Sequence, residues 1–110
     1  MSEPIFSGDY SADMGTLALE AGNCQFYFDN GYGDGRFKVA IFDNQEDLDA
    51  YVEKRGLEVE YAGLFQIMED GSAKVMDYDC GGEPIYCLEE PGRYPVYRDD
   101  GGNMYVGRWE

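Results

Sequence analysis

The chain has 110 residues, with 23 Asp and Glu against 8 Lys and Arg, a formal net charge of -15 and no histidine. That balance excludes charge-driven binding to nucleic acid or to an anionic membrane surface, because both need basic side chains to neutralise phosphate. The missing histidine excludes Ser-His and Cys-His machinery and removes the commonest general base and metal ligand.

Hydrophobic residues still make up 44% of the chain and aromatics 15%, which a disordered acidic segment would lack. One folded domain spanning residues 1–110 is expected. Met1 to Tyr10 carries neither a basic nor an apolar leader segment, and no apolar run reaches the length of a bilayer span. The three cysteines, Cys24, Cys80 and Cys87, form an odd set at spacings without a signature. Reduced thiols in a cytoplasmic setting are the expectation, with a Cys80–Cys87 bridge as the lesser alternative.

In chain order, Gly15 to Ala21 alternates, with Leu17 and Leu19 on one face and Thr16, Ala18 and Glu20 on the other, which predicts a half-buried strand. Cys24 to Phe28 is a short aromatic strand. Asp29 to Gly35 is a dense turn signal, and Phe37 to Phe42 is a third strand with Phe37, Val39 and Ile41 on one face. The last two strands and their loop read as a β-hairpin.

A single helix is predicted over Gln45 to Arg55. Asp43 or Asn44 caps it, Glu46 and Asp47 sit in its first turn, Lys54 and Arg55 in its last, and Gly56 stops it. Leu48, Tyr51, Val52 and Leu57 form its apolar stripe.

Leu57 to Met68 is a long strand with Glu58 and Glu60 on one face and a bulge or bend at Ala62-Gly63. Glu69 to Ser72 is a turn and Ala73 to Asp79 a returning strand, giving a second hairpin. Short strands over Ile85 to Leu88, Arg93 to Arg98 and Asn103 to Trp109 complete an antiparallel meander. The expected class is α+β: mainly antiparallel sheet, about seven to eight short strands, with one helix near residues 45–55. A small β-sandwich or barrel with one helix is the alternative.

Sites of chemistry are sparse. The glycine-rich loop Asn30 to Gly35 leads into a strand rather than a helix and carries acids where an anion would sit, so it is no phosphate cradle. Asp77-Tyr78-Asp79-Cys80-Gly81-Gly82 starts like a calcium loop, but its twelfth position is Leu88. Asp29 to Asp34 and Asp99-Asp100-Gly101 are oxygen-rich turns without the full spacing. Carboxylate pairs suited to a glycosidase arise by chance among so many acids. No catalytic residue and no cofactor is expected.

The remaining signal is acid interleaved with tyrosine, a combination suited to gripping Lys- and Arg-rich surfaces. Asp29, Asp34, Glu58, Glu60, Asp77 and Asp79, with Tyr32 and Tyr78, are the candidate partner-binding residues. The strands carrying Glu58/Glu60 and Asp77/Asp79 are expected to be neighbours, merging their acids into one patch. The expected function is a non-enzymatic inhibitor of a basic protein partner, a nucleic-acid-binding protein or nuclease. Two settings suit it: a nucleic-acid mimic of the phage anti-defence type, or an immunity protein against a nuclease toxin. A calcium-binding module and a structural or accessory subunit are the alternatives.

Overall fold

The computed structural model describes residues 3–74 and 83–109. In chain order the elements are β1 (Phe6–Ser11), β2 (Thr16–Ala21), β3 (Cys24–Asp29), β4 (Arg36–Ile41), α1 (Gln45–Arg55), β5 (Val59–Ile67), β6 (Cys87–Leu88), β7 (Gly92–Asp99) and β8 (Met104–Val106). The strands form a five-stranded sheet in the order β1-β4-β8-β7-β5 and a three-stranded sheet in the order β3-β2-β6. The fold is therefore α+β with one helix and two mostly antiparallel sheets, and the described strands do not close into a barrel.

The main core lies between the sheets. Leu17, Leu19, Phe26 and Phe28 from the small sheet meet Val39, Ile41, Phe65, Tyr94 and Val106 from the large one. The Phe65 ring stacks between Phe26 at 4.7 Å and Tyr94 at 5.0 Å. Each such side chain taken fully out of water contributes about 1.5–3 kcal/mol. A second core lies on the other side of the large sheet, where Ala40, Phe42 and Tyr105 meet Leu48 of α1, flanked by Tyr51 and Val52.

The helix starts and stops where its sequence says. Asn44 is the N-cap: its Oδ1 accepts from the Asp47 N–H at 2.8 Å, and its Nδ2 donates back to Asp47 Oδ2 at 3.3 Å. At the other end Gly56 takes the left-handed conformation (φ 63°), and the Leu57 N–H closes onto the Val52 carbonyl at 3.0 Å.

The pairing corrects three expectations. First, β3 and β4 do not form a hairpin. β3 pairs with β2 through a two-residue turn, while β4 pairs with β1 and β8 in the other sheet. Gly22 at φ 60° supplies the left-handed residue that so short a turn requires. The apolar faces of β3 and β4 meet across the core instead of along an edge. Second, the last strands are not a meander. β6 joins β2 in parallel, and β8 inserts between β4, which it parallels, and β7. Third, Phe6–Ser11 is a strand that pattern reading passed over: Phe6 and Tyr10 face the core, while Ser7, Asp9 and Ser11 are exposed.

The second predicted hairpin is described only at its turn. Met68 N–H donates to the Ser72 carbonyl at 2.7 Å, and Ile67 bridges Ala73. The predicted strand beyond Lys74 lies outside the described residues, and so do Asp77, Tyr78, Asp79 and Cys80.

The bulge expected at Ala62-Gly63 is present as a register shift between Tyr61 and Gly63. It reverses which residues face inward: Val59 packs on the helix side, whereas Phe65 and Ile67 enter the core between the sheets. A Cβ on Gly63 would stand 2.6 Å from Phe28 Cε1 and 2.8 Å from its Cδ1. Gly63→Ala is expected to lower stability by about 1–3 kcal/mol through overpacking. Gly8→Ala, with open space around the new Cβ, is expected to shift it by less than about 0.5 kcal/mol. Urea midpoints of the two variants check this, and equal midpoints would show that the Phe28 contact does not constrain the bulge.

Candidate functional site

One end of the sandwich collects several of the expected site residues. There the loop after β3 meets the β7–β8 turn and the start of β5. Asn30, fully buried, organises the loop: its Oδ1 accepts the Tyr32 N–H at 2.8 Å and the Gly33 N–H at 3.1 Å. Its own N–H donates to the Gly15 carbonyl at 2.9 Å. Gly15 and Gly102 leave room for the amide; a Cβ on either would stand 2.6 Å from Asn30 Oδ1 or 3.2 Å from its Nδ2. Tyr32 lies against Gly102 and is 56% exposed.

Arg98 fastens this end. Its Nε donates to Glu60 Oε1 at 2.9 Å, and its NH1 donates to the Asp29 carbonyl at 2.9 Å. One guanidinium thus ties β5 and β7 of the large sheet to the end of β3 in the small one. The structure brings Asp29, Tyr32 and Glu60 together here. Asp29 and Asp34 are exposed, but each also holds its own turn: Asp29 Oδ1 accepts the Gly31 N–H at 2.6 Å, and Asp34 Oδ1 accepts the Arg36 N–H at 3.2 Å. Glu58 is exposed just before β5. Asp77, Tyr78 and Asp79 lie outside the described residues, so their expected merger with Glu58 and Glu60 is not part of this site.

Asp99 belongs to the structure rather than to a surface. It is 5% exposed. Its Oδ1 accepts the Gly101 and Asn103 N–H groups at 2.8 and 2.9 Å; its Oδ2 accepts from Asn103 Nδ2 at 3.1 Å and from the Tyr105 hydroxyl at 2.7 Å. Burial alone would raise this carboxyl, but the Tyr105, Asn103 and Gly101 donors outweigh burial and hold it below the usual carboxylate range. Burial and the Asp99 carboxylate together push the Tyr105 hydroxyl far up. With its oxygens committed to four donors, Asp99 is not available to a cation in the Asp99-Asp100-Gly101 turn. Among the described residues, no group of three or more Asp, Glu or Cys side chains is placed to hold a metal ion.

A second acidic face was not singled out from the sequence. Glu46, Asp49 and Glu53 are exposed at helical spacing along the outside of α1, and Asp43 is exposed just before its cap. The signal was available as the polar complement of the Leu48, Tyr51, Val52 stripe. Cys24 and Cys87 are free thiols, and burial, Glu20 and Glu89 push the Cys87 thiol up, away from the reactive thiolate. Among the described residues, no helix is long and apolar enough to cross a membrane. Comparison with protein-family models, with curated proteins and with solved structures returns no match to this chain.

The Asp99 network sets a pH dependence. Its carboxyl is depressed in the folded state, so its contribution is complete above the unfolded value near 3.9 and is lost as pH falls through the lower folded value. Asp99→Asn is expected to cost about 1–3 kcal/mol at neutral pH. The gap between the two proteins should narrow as pH drops below about 4. Thermal unfolding of both proteins across the acid range measures it; a gap independent of pH would mean that the buried carboxylate charge is not what holds the turn.

Proposed function

We propose that this chain is an acidic interaction protein that occupies the basic surface of a nucleic-acid-binding protein or a nuclease, where nucleic acid would otherwise sit. The observation that carries the reading is how the charges are spent. Four of the five guanidiniums are engaged within the fold: Arg98 with Glu60 and the Asp29 carbonyl, Arg108 with Glu90 and the Pro91 carbonyl, Arg55 over the Tyr51 ring and Arg93 over the Trp109 ring, while Arg36 is exposed. The carboxylates point the other way. Of the described Asp and Glu side chains, Asp99 is buried and Asp47 half-buried at the helix cap, while Glu46, Asp49 and Glu53 on α1, Asp34 on the loop after β3, and Glu89 and Glu90 on the β6–β7 loop are exposed. The outward field is strongly negative, and its complement is a cationic protein face.

Carboxylates in this arrangement stand in for phosphates. A mimic directed against a nucleic-acid-binding defence complex and an immunity protein against a nuclease toxin share these physics. A cytoplasmic location with reduced thiols belongs to the same reading. No chemical step is part of it: the carboxylates act as a surface, steering a partner and pairing with it. Calcium binding at the Asp99 turn is disfavoured, because both Asp99 oxygens are already engaged by donors.

The test is competition. The chain is titrated into complexes of a labelled DNA or RNA duplex with a panel of basic nucleases and nucleic-acid-binding proteins. Displacement from at least one of them is expected at low salt, with affinity falling about tenfold or more as ionic strength rises through the physiological range. Binding that is indifferent to salt, or no displacement from any member at low salt, would sink the proposal.

A further inference from the structure

We propose that the cleft between the β6–β7 loop and the end of β4 receives an arginine side chain from the basic partner. This deepens the reading above and rests on it. The cleft has a volume of about 210 Å³, below the ~300–1,000 Å³ of small-molecule pockets and of the order of one long side chain. Its floor is apolar and aromatic: Phe42, Leu88 and Tyr94 line it and are 0%, 5% and 2% exposed. Half-buried Tyr86 also lines it. Three carboxylates border it, Asp43, Glu89 and Glu90, all exposed.

A single cation of the chain lies in this wall: its two terminal nitrogens are engaged, and its buried Nε has no hydrogen-bond partner among the described residues. Arg108 NH2 donates to the Pro91 carbonyl at 2.7 Å, and its NH1 lies 3.5 Å from Glu90 Oε1. Its Nε is packed against Gly92, where a Cβ would come within 2.9 Å of it. Asp43 and Glu89 have no ion-pair partner among the described residues. The acids also face the floor itself: burial raises the Tyr94 hydroxyl most, Arg108 lowers it, and Glu90 and Asp43 raise it further.

An arginine entering this cleft would lay its planar guanidinium against the half-buried Tyr86 and present its N–H fork to carboxylates. The fold already uses the first half of that arrangement twice, with Arg55 3.7 Å from the Tyr51 ring centroid and Arg93 5.3 Å from that of Trp109. An anion fits poorly, since three carboxylates surround the one guanidinium.

The experiment follows amide resonances of the full chain during titration with N-acetyl-arginine amide, with the neutral isostere N-acetyl-citrulline amide, and with inorganic phosphate. Arginine amide is expected to shift Tyr86, Leu88, Glu89, Glu90 and Arg108, while citrulline amide leaves them in place. In a double variant, Asp43→Asn with Glu89→Gln, affinity is expected to fall about fivefold or more. The pair Glu46→Gln with Glu53→Gln changes the net charge equally on the helix face and is expected to alter it less than about twofold. Equal losses in the two pairs, or shifts spread over the whole surface, would overturn the cleft while leaving salt-dependent competition by the intact protein untouched. Citrulline binding as well as arginine would overturn it too, and a response to phosphate alone would assign the cleft to an anion on Arg108.

Discussion

Two inner strands of the large sheet, β4 and β8, bury residues on both faces, and β4 is exposed only near its start, at Arg36 and Lys38. Alternate residues of β4 point to different cores: Phe37, Val39 and Ile41 meet the small sheet, while Ala40 meets the helix layer. β8 does the same with Met104 and Val106 on one side and Tyr105 on the other. A one-residue slip in either strand would put a large side chain where a small one stands, so both covering layers fix the register. The edge strand β5 serves both cores in succession, and it can do so only by inserting an extra residue at its bulge. The narrowness of Gly63 lets the Phe28 ring pass at that point. The helix, the small sheet and the bulge all answer the same demand.

This explains which parts of the fold were legible in the sequence. The helix was legible from Asn44 to Gly56 because caps, end charges and apolar stripe are all local. The glycine at the β5 bulge was legible for the same reason. The partner of each strand was not. Phe26, Phe28, Phe37 and Val39 carry the same inward pattern whether they pair along an edge or pack across a core, and a two-residue turn at Gly22 decided against the loop at Asn30. β1 escaped notice because its outward Ser7, Asp9 and Ser11, with Gly8 between them, resemble a loop in composition. The acidic site was the least legible element. Glu60 meets Arg98 across 38 residues of sequence, and no local pattern reports such a meeting. The cleft acids Asp43 and Glu89 are farther apart still.

Acid and base have opposite duties in this molecule. Four of the five arginines act as fasteners, each reaching a carbonyl, a carboxylate or a ring of the chain itself. Most carboxylates are left to solvent. Asp99 inverts the pattern and shows what an acid needs in order to live inside: four donors arranged around two oxygens, supplied by the turn it closes and by Tyr105. The same turn holds Asn103, whose Oδ1 accepts the Lys38 N–H at 2.9 Å. One buried carboxylate therefore orders the turn, the start of β8 and the edge of β4 together.

The position of β8 has a kinetic consequence. The contact between Lys38 and Asn103 spans 65 residues, and β8 is the strand that joins β4 to β7. Until β8 pairs with β4, the large sheet would be two separate ribbons, β1 with β4 and β5 with β7 and β8, each exposing an unpaired inner edge. Loop closure over such a distance is entropically costly and slows folding. Unpaired edges in that interval are templates for pairing with other chains. Mutual repulsion between chains of net charge -15 opposes that association. The same acidity that would attract a basic partner to the finished surface thus shields the unfinished one from copies of itself.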